Sequence, residues 1–241
     1  MLSYSFLAIS LGFILDNFRE DYSEKQNAES LLKSLHNDLK GDVIRFNEFE
    51  NRRKKLISDI YNFLDDVEER GLQGNDVNQQ KLFAIAIFNW IYFEPNTANI
   101  EQIISSGALR YLGDDELIHQ IGVTENQNNS LLDRQKREQE YFLNYLQPLM
   151  HKYYNFKWLN KSYAREWISF EASLDGLKKT NPTEKNMLFW DNDHQLLQEI
   201  TNLFENYIFI LRSSFVTNYD MYIEEMEKTI KMIEVKSSIN N

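Results

Sequence analysis

The chain contains no cysteine. That absence removes disulfide frameworks, thiolate metal sites and cysteine nucleophiles together, and leaves the redox compartment open. Proline is held to 3 residues and glycine to 8 in 241, so turn chemistry is scarce and few breaks can be placed in any long element. Long helices are the expectation. A basic excess is also missing: Lys and Arg number 26 against 37 Asp and Glu, a formal charge of −11. The longest basic cluster, Arg52 to Lys55, has acidic neighbours on what reads as a helix. A phosphate backbone would be repelled, so no nucleic-acid partner is expected.

What is present is enough to fold. Hydrophobic residues make up 42% of the chain and aromatics 14%, too many for a disordered chain and sufficient for a sizeable core. From Leu2 to Leu15 no residue is charged, and the first charge is Asp16. A bilayer core asks for about 20 apolar residues, with a lower limit near 17. Extending the run through Phe18 would enclose Asp16 and Asn17, so a bare span would be thin and would need tilt or local thinning. No basic leader precedes the run, and Asp16-Asn17-Phe18-Arg19 offers no small-residue cleavage site, which argues against a removed signal peptide. A buried core helix is the other reading. We expect residues 1–18 to be an apolar membrane anchor and residues 19–241 one helical domain. Arg19, Lys25 and Lys33 follow the run and no basic residue precedes it, a count that by itself puts the domain in the cytoplasm.

Downstream the pattern is strongly periodic. Between Ala28 and Arg70, Leu32, Leu35, Leu39, Phe46, Phe49, Leu56, Ile60, Phe63 and Val67 alternate spacings of three and four, interrupted by Asp42 and Arg53. This is a heptad stripe on one helix face, and Gly71 and Gly74 should end the helix. A second, buried helix is expected from about Val77 to Tyr92, broken by Pro95. Asn99-Ile100-Glu101-Gln102 then reads as a capping box that opens a short helix, which should stop at Ser105-Ser106-Gly107. After Gly113-Asp114-Asp115, a helix from Glu116 should run to Tyr145 with a solvated middle. Pro148 and the aromatic region Tyr153 to Phe170 imply a kink and a further helix, closed near Gly176. The last helix, from about Asp191, carries Leu196, Ile200, Leu203, Tyr207, Leu211, Phe215, Tyr219, Tyr222, Met226, Ile230 and Ile233, and should pair with the first. No repeat and no alternation long enough for a sheet is present. The expected fold is all-α: long antiparallel helices in an elongated bundle, preceded by a short N-terminal apolar anchor helix.

Three stretches carry a resemblance to a family. They are the apolar run leading into Asp16-Asn17-Phe18-Arg19-Glu20, the Tyr92-Phe93-Glu94-Pro95-Asn96 break, and Ser105-Ser106-Gly107-Ala108-Leu109-Arg110 followed by Asp115-Glu116-Leu117. In this order they resemble a domain-of-unknown-function family of Bacteroidota, family 6090, of uncharacterised, singly anchored helical proteins. Its members carry a basic leader before a longer apolar segment with a Trp near its end. This chain has Phe18 there and starts inside the segment, so a shortened start is expected. The resemblance implies a main domain on the outer, periplasmic face of the inner membrane and supplies no catalytic residues.

Chemistry-bearing patterns are few. The histidines are His36, His119, His151 and His194, and no zinc-protease motif, phosphate loop, nucleophile elbow or dinucleotide fingerprint occurs. Glu116-Leu117-Ile118-His119 has the spacing that puts a carboxylate and an imidazole on one helix face, as in di-metal bundles, and Asp191-Asn192-Asp193-His194 echoes it loosely. Both sit where helices start, and acidic residues favour such positions for capping and dipole reasons alone. The aromatics Tyr141, Phe142, Tyr145, Tyr153, Tyr154, Phe156, Trp158, Tyr163, Trp167 and Phe170 read as core, with a binding surface as the other use. Asp42 reads as a register or partner feature. No catalytic, cofactor-binding or metal residue is singled out and no cofactor is expected. The expected role is a non-enzymatic interaction or scaffold module of a bacterial envelope. Its partners would be a membrane through the N-terminal segment, and another protein or a second copy through the helical stripes. A ligand-sensing helical domain and a di-metal carboxylate bundle are the alternatives.

Overall fold

The structure is a computed structural model that describes residues 2–73, 76, 78, 79, 82, 83, 90–153 and 194–239. Among these residues all regular structure is helical and no strand occurs. Helix α1 runs Leu2–Arg70, α2 Ala98–Ser105, α3 Asp115–Tyr141, α4 Gln147–Tyr153, α5 His194–Ser214 and α6 Asp220–Ile239. A 3₁₀ turn, Ala108–Tyr111, lies between α2 and α3, and π-helical turns, Phe142–Leu146 and Phe215–Tyr219, join α3 to α4 and α5 to α6. No helix among the described residues is long and apolar enough to cross a membrane.

All nine apolar residues of the expected α1 stripe are buried, and so are Asp42 and Arg53, which share its spacing. A perfect three-four alternation keeps one face of a long helix turned to its partners, which is why so long an element holds together. It ends as expected: Gly71 takes φ +68° and its N–H bonds the Val67 carbonyl at 2.8 Å, the left-handed closure glycine allows without strain. Gly74 lies outside the described residues.

The chain divides into two compact units, and α1 contributes to both. The first comprises residues 1–47, 93–132 and 218–241. Here α1 and α6 run antiparallel: His36 meets Glu234 at 3.1 Å, while Phe46, further along α1, meets Tyr222 with ring centroids 4.8 Å apart. Phe46 also takes Phe93 and Tyr219 edge-on at 5.1 and 5.5 Å, contacts worth roughly 0.5–1.5 kcal/mol each beyond the area they bury.

The second unit comprises residues 48–92 and 133–217. Its core joins Leu56, Ile60 and Phe63 of α1 to Phe83, Leu146, Leu149 and to Leu196, Ile200 and Phe204 of α5. Phe63, Phe83 and Phe204 close a ring triad with centroids 5.4–5.8 Å apart.

Several expectations need correction. The helix expected to reach Tyr92 does not: Trp90 to Thr97 are non-helical, with Ile91, Phe93 and Pro95 buried and Tyr92, Glu94 and Asn96 exposed. That period of two belongs to an extended segment. Asn78, Gln79, Leu82 and Phe83 are helical, and most of the remaining span lies outside the described residues. The capping box fails as well. Thr97 is the N-cap, without a side-chain bond, and Asn99 sits inside α2 donating its Nδ2 to Asp38 at 2.6 Å. A charge-assisted bond to a carboxylate outcompetes a local backbone cap. Gly107 does close the turn after α2, with φ +72°.

Helix α3 starts at Asp115, with Asp114 accepting the Leu117 N–H at 3.0 Å. Its middle is not solvated all round: Gln120, Thr124, Asn128, Leu131, Gln135 and Glu138 are buried. Pro148, where a kink is expected, lies within a helical run that continues from α3 through Phe142–Leu146 into α4. A π turn just upstream widens the backbone where the proline ring would meet the carbonyl of residue 144. In α5 and α6 the expected seats of Leu203 and Phe215 are only half-buried, and Phe204 and Ser214 are fully buried in their stead. The π turn after Ser214 supplies the extra residue that lets Tyr219 follow at a spacing of five.

Candidate functional site

Upstream of Ala28, the first buried residue from Leu11 onward among those whose side chains are described, α1 stands open. Leu11, Ile14, Leu15, Phe18 and Tyr22 are exposed by 56, 50, 67, 69 and 64% respectively, whereas Ala28 is at 0%. Single exposed apolar residues are ordinary, but five within three turns on one helix are a surface. Leu11, Ile14 and Phe18 continue the three-four register of the buried stripe, with Asp21 and Lys25 the two polar steps before Ala28. Leu15 and Tyr22 each follow a stripe position and widen the apolar face. No described residue of the chain covers it. Among charged neighbours, Arg19 lies 3.7 Å from Asp16, both well exposed.

Three other places could carry chemistry. In the first unit, an open cleft of about 540 Å³ lies over Asp42, edged by Asp38, Gly41, Arg45, Glu94 and Asn96. The Asp42 carboxylate accepts the Asn96 backbone N–H at 2.7 Å and a bond from Arg45, whose guanidinium also sits 5.5 Å from the Phe93 ring centre. Burial raises the Asp42 carboxyl above its ordinary value, against the pull of those two donors. Tyr222, fully buried and within reach of the Asp42 charge, has a hydroxyl with no hydrogen-bond partner among the described residues, and burial first and that charge second raise its pKa. Asp42 thus latches the extended segment onto α1, consistent with a register role.

The Glu116 and His119 pair is exposed, on an open groove of about 640 Å³ shared with Glu224, Glu227, Lys228 and Lys231 of α6. Among the described residues no group of three or more His, Asp or Glu side chains could hold a metal ion. His194 opens α5, exposed; Asp191 to Asp193 lie outside the described residues. His36 bonds Glu234, and His151 is exposed on α4.

In the second unit, α1 and α3 share a buried ion pair. Arg53 donates to Glu138 at 2.8 Å, and neither side chain is exposed. The Arg53 guanidinium lies 5.1 and 5.0 Å from the ring centres of Phe49 and Trp90, and Ser214 donates to the other Glu138 oxygen. Arg134 donates to the Ser213 and Ser214 hydroxyls and to the Ile210 carbonyl. The Ser214 hydroxyl accepts from Arg134 and donates to Glu138 and to the Ile210 carbonyl, bonds that lock helix register. This network was missed in the sequence because the middle of this helix reads as solvated; the three-four spacing of Gln120, Thr124, Asn128, Gln135 and Glu138 with Leu117, Ile121 and Leu131 was the available signal.

Of the expected aromatic cluster, Tyr141 stacks on Tyr207 with centroids 6.0 Å apart and donates to the Leu203 carbonyl at 3.0 Å, and Phe142 packs 5.8 Å from Trp90. Tyr145 is 54% exposed. Tyr154, Phe156, Trp158, Tyr163, Trp167 and Phe170 lie outside the described residues. Comparison with known proteins finds no matching family, no matching curated protein and no matching solved structure.

Proposed function

We propose that the chain is a non-enzymatic helical interaction module held at a membrane of a bacterial envelope by the N-terminal stretch of α1, residues 1–18. One observation carries this reading: the five exposed hydrophobics from Leu11 to Tyr22 share a face that nothing described in the chain covers. The uncharged run Leu2–Leu15 is continuous with that face. Its 14 residues extend roughly 21 Å as a helix, less than the ~30 Å hydrocarbon core, so it enters the bilayer without needing to cross it. Phe18 and Tyr22 then lie at the depth of the headgroups, where aromatic rings are favoured. The resemblance to the singly anchored family supports an inner-membrane position with the domain on the periplasmic side. The stripes from Ala28 to Val67 and from Leu196 to Ile233 are used within the chain, and the upstream face from Leu11 to Tyr22 is an open apolar surface among the described residues of α1.

Flotation with phosphatidylcholine vesicles tests this. The full chain should rise with the lipid, and a chain lacking residues 1–22 should stay at the bottom. A full chain that remains monomeric and lipid-free overturns the reading, and one that dimerises through this stretch while ignoring lipid assigns the face to a second copy. A C-terminal reporter fusion decides the side of the membrane.

A further inference from the structure

We infer that the lipid surface fitted by the N-terminal stretch of α1 is a zwitterionic one, and that anionic headgroups weaken its insertion. This rests on the membrane reading above and adds the class of lipid. Immediately after the uncharged run, the residues that would lie among the headgroups are acidic on balance: Asp16, Glu20, Asp21 and Glu24 against Arg19 and Lys25, a net of −2. Asp16, Arg19, Glu20, Asp21 and Lys25 are exposed and Glu24 is half-exposed, so none of these charges is sealed in the fold, and across one helix diameter they act on a nearby surface within about a screening length at moderate salt. Arg19, the cation nearest the run, already has the Asp16 carboxylate 3.7 Å away, so its charge is partly answered before any phosphate arrives. The chain behind carries the same sign, −11 in all. Helices that seek anionic leaflets show the opposite pattern, a basic cluster just outside the apolar segment.

Electrostatics and apolar burial therefore pull apart on an anionic bilayer and do not on a neutral one. Apolar area sets the affinity; the flanking charge sets the lipid preference. The opposition is a surface effect, so it fades as salt shortens the screening length.

The test compares the full chain on vesicles of phosphatidylcholine alone and with about one third phosphatidylglycerol, near 0.02 M and about 0.5 M salt. At low salt the partition onto the mixed vesicles should be about tenfold weaker, and high salt should largely close the gap. E20K/D21K, which replaces two exposed acids and takes the flank from −2 to +2, should bind the mixed vesicles better than the neutral ones. Equal or stronger binding of the parent chain to the mixed vesicles at low salt overturns the inference while leaving the membrane reading intact. Binding to neither vesicle defeats the membrane reading, and the inference falls with it.

Discussion

Ile57 and Ile60 lie three residues apart on α1, yet the first is half-buried and the second fully so. A carboxylate at residue 60 would be sealed away from water beside Phe63 and Ile200 of the same core, while one at residue 57 can turn toward solvent. Ile60→Asp should cost about 4 kcal/mol or more and Ile57→Asp about 1 kcal/mol by chemical denaturation; equal losses would mean the stripe is misplaced. Asp42 makes a second prediction, of unusual sign. Its folded carboxyl is raised above its ordinary value, first by burial, so folding favours the protonated acid. The stability this gives is present below the unfolded value and is lost as pH rises through the folded one. Asp42→Asn keeps an acceptor for the Asn96 N–H and carries no charge. Relative to the parent it should gain stability as pH climbs out of the carboxylate range, and urea midpoints measured across weakly acidic pH should show the two curves converging at the acid end. A constant offset at every pH would show that Asp42 binds no differently charged.

At the scale of an element, the two long helices solve one problem in different ways. The stripe of α1 keeps strict three-four spacing from Ala28 to Val67, but in α5 and α6 the buried seats step from Ser214 to Tyr219, five residues, across the π turn. Deleting the exposed Val216 should convert that step to four and the π turn to regular helix, holding stability within about 1 kcal/mol of the parent. Deleting the exposed Glu48 from α1 instead rotates everything after it by about 100° and swings Leu56, Ile60 and Phe63 off their seats, so cooperative melting should disappear. Thermal melts followed by circular dichroism decide it, and similar damage from both deletions would rule out a phase correction. The same contrast explains what could be read beforehand. The α1 stripe and its Gly71 stop were legible because apolar side chains at fixed spacing report a buried face directly. The polar seam of α3 was not, since Thr124 is buried by a 2.7 Å contact with Thr229, and Gln120 by a 2.6 Å bond to Glu225, both supplied from a distant part of the chain. Asn99 misled for a similar reason: its cap competed with Asp38, sixty-one positions away. The open face of α1 was half legible, because the uncharged run showed in the sequence while the exposure of Phe18 and Tyr22 needed the fold.

For the whole molecule, the placement of Ala28 as the first sealed side chain among those described separates what holds the fold from what meets the surroundings. Between Leu11 and Asn27 every side chain described is at least partly exposed, and the contacts there are local, such as Gln26 to Tyr22 at 2.9 Å. Local, solvated contacts of this kind contribute tenths of a kcal/mol. Removing residues 1–22 should therefore leave the midpoint of unfolding within about 2 °C of the full chain, since about 1 kcal/mol shifts a domain of this size by ~2–4 °C. Helical ellipticity should fall only by the share of the deleted turns, because the helix that remains still has its packed stripe to hold it, and tertiary packing rather than intrinsic propensity stabilises most helices. The full chain, by contrast, should change with its surroundings: lipid that occupies the Leu11–Tyr22 face binds the folded state and should slow amide exchange there, without altering exchange around Ile60 and Phe63. A truncated chain that melts many degrees lower would place residues 1–22 in the core after all, whereas one with an unchanged midpoint and no affinity for vesicles would leave the N-terminal stretch of α1 with the single task of contact.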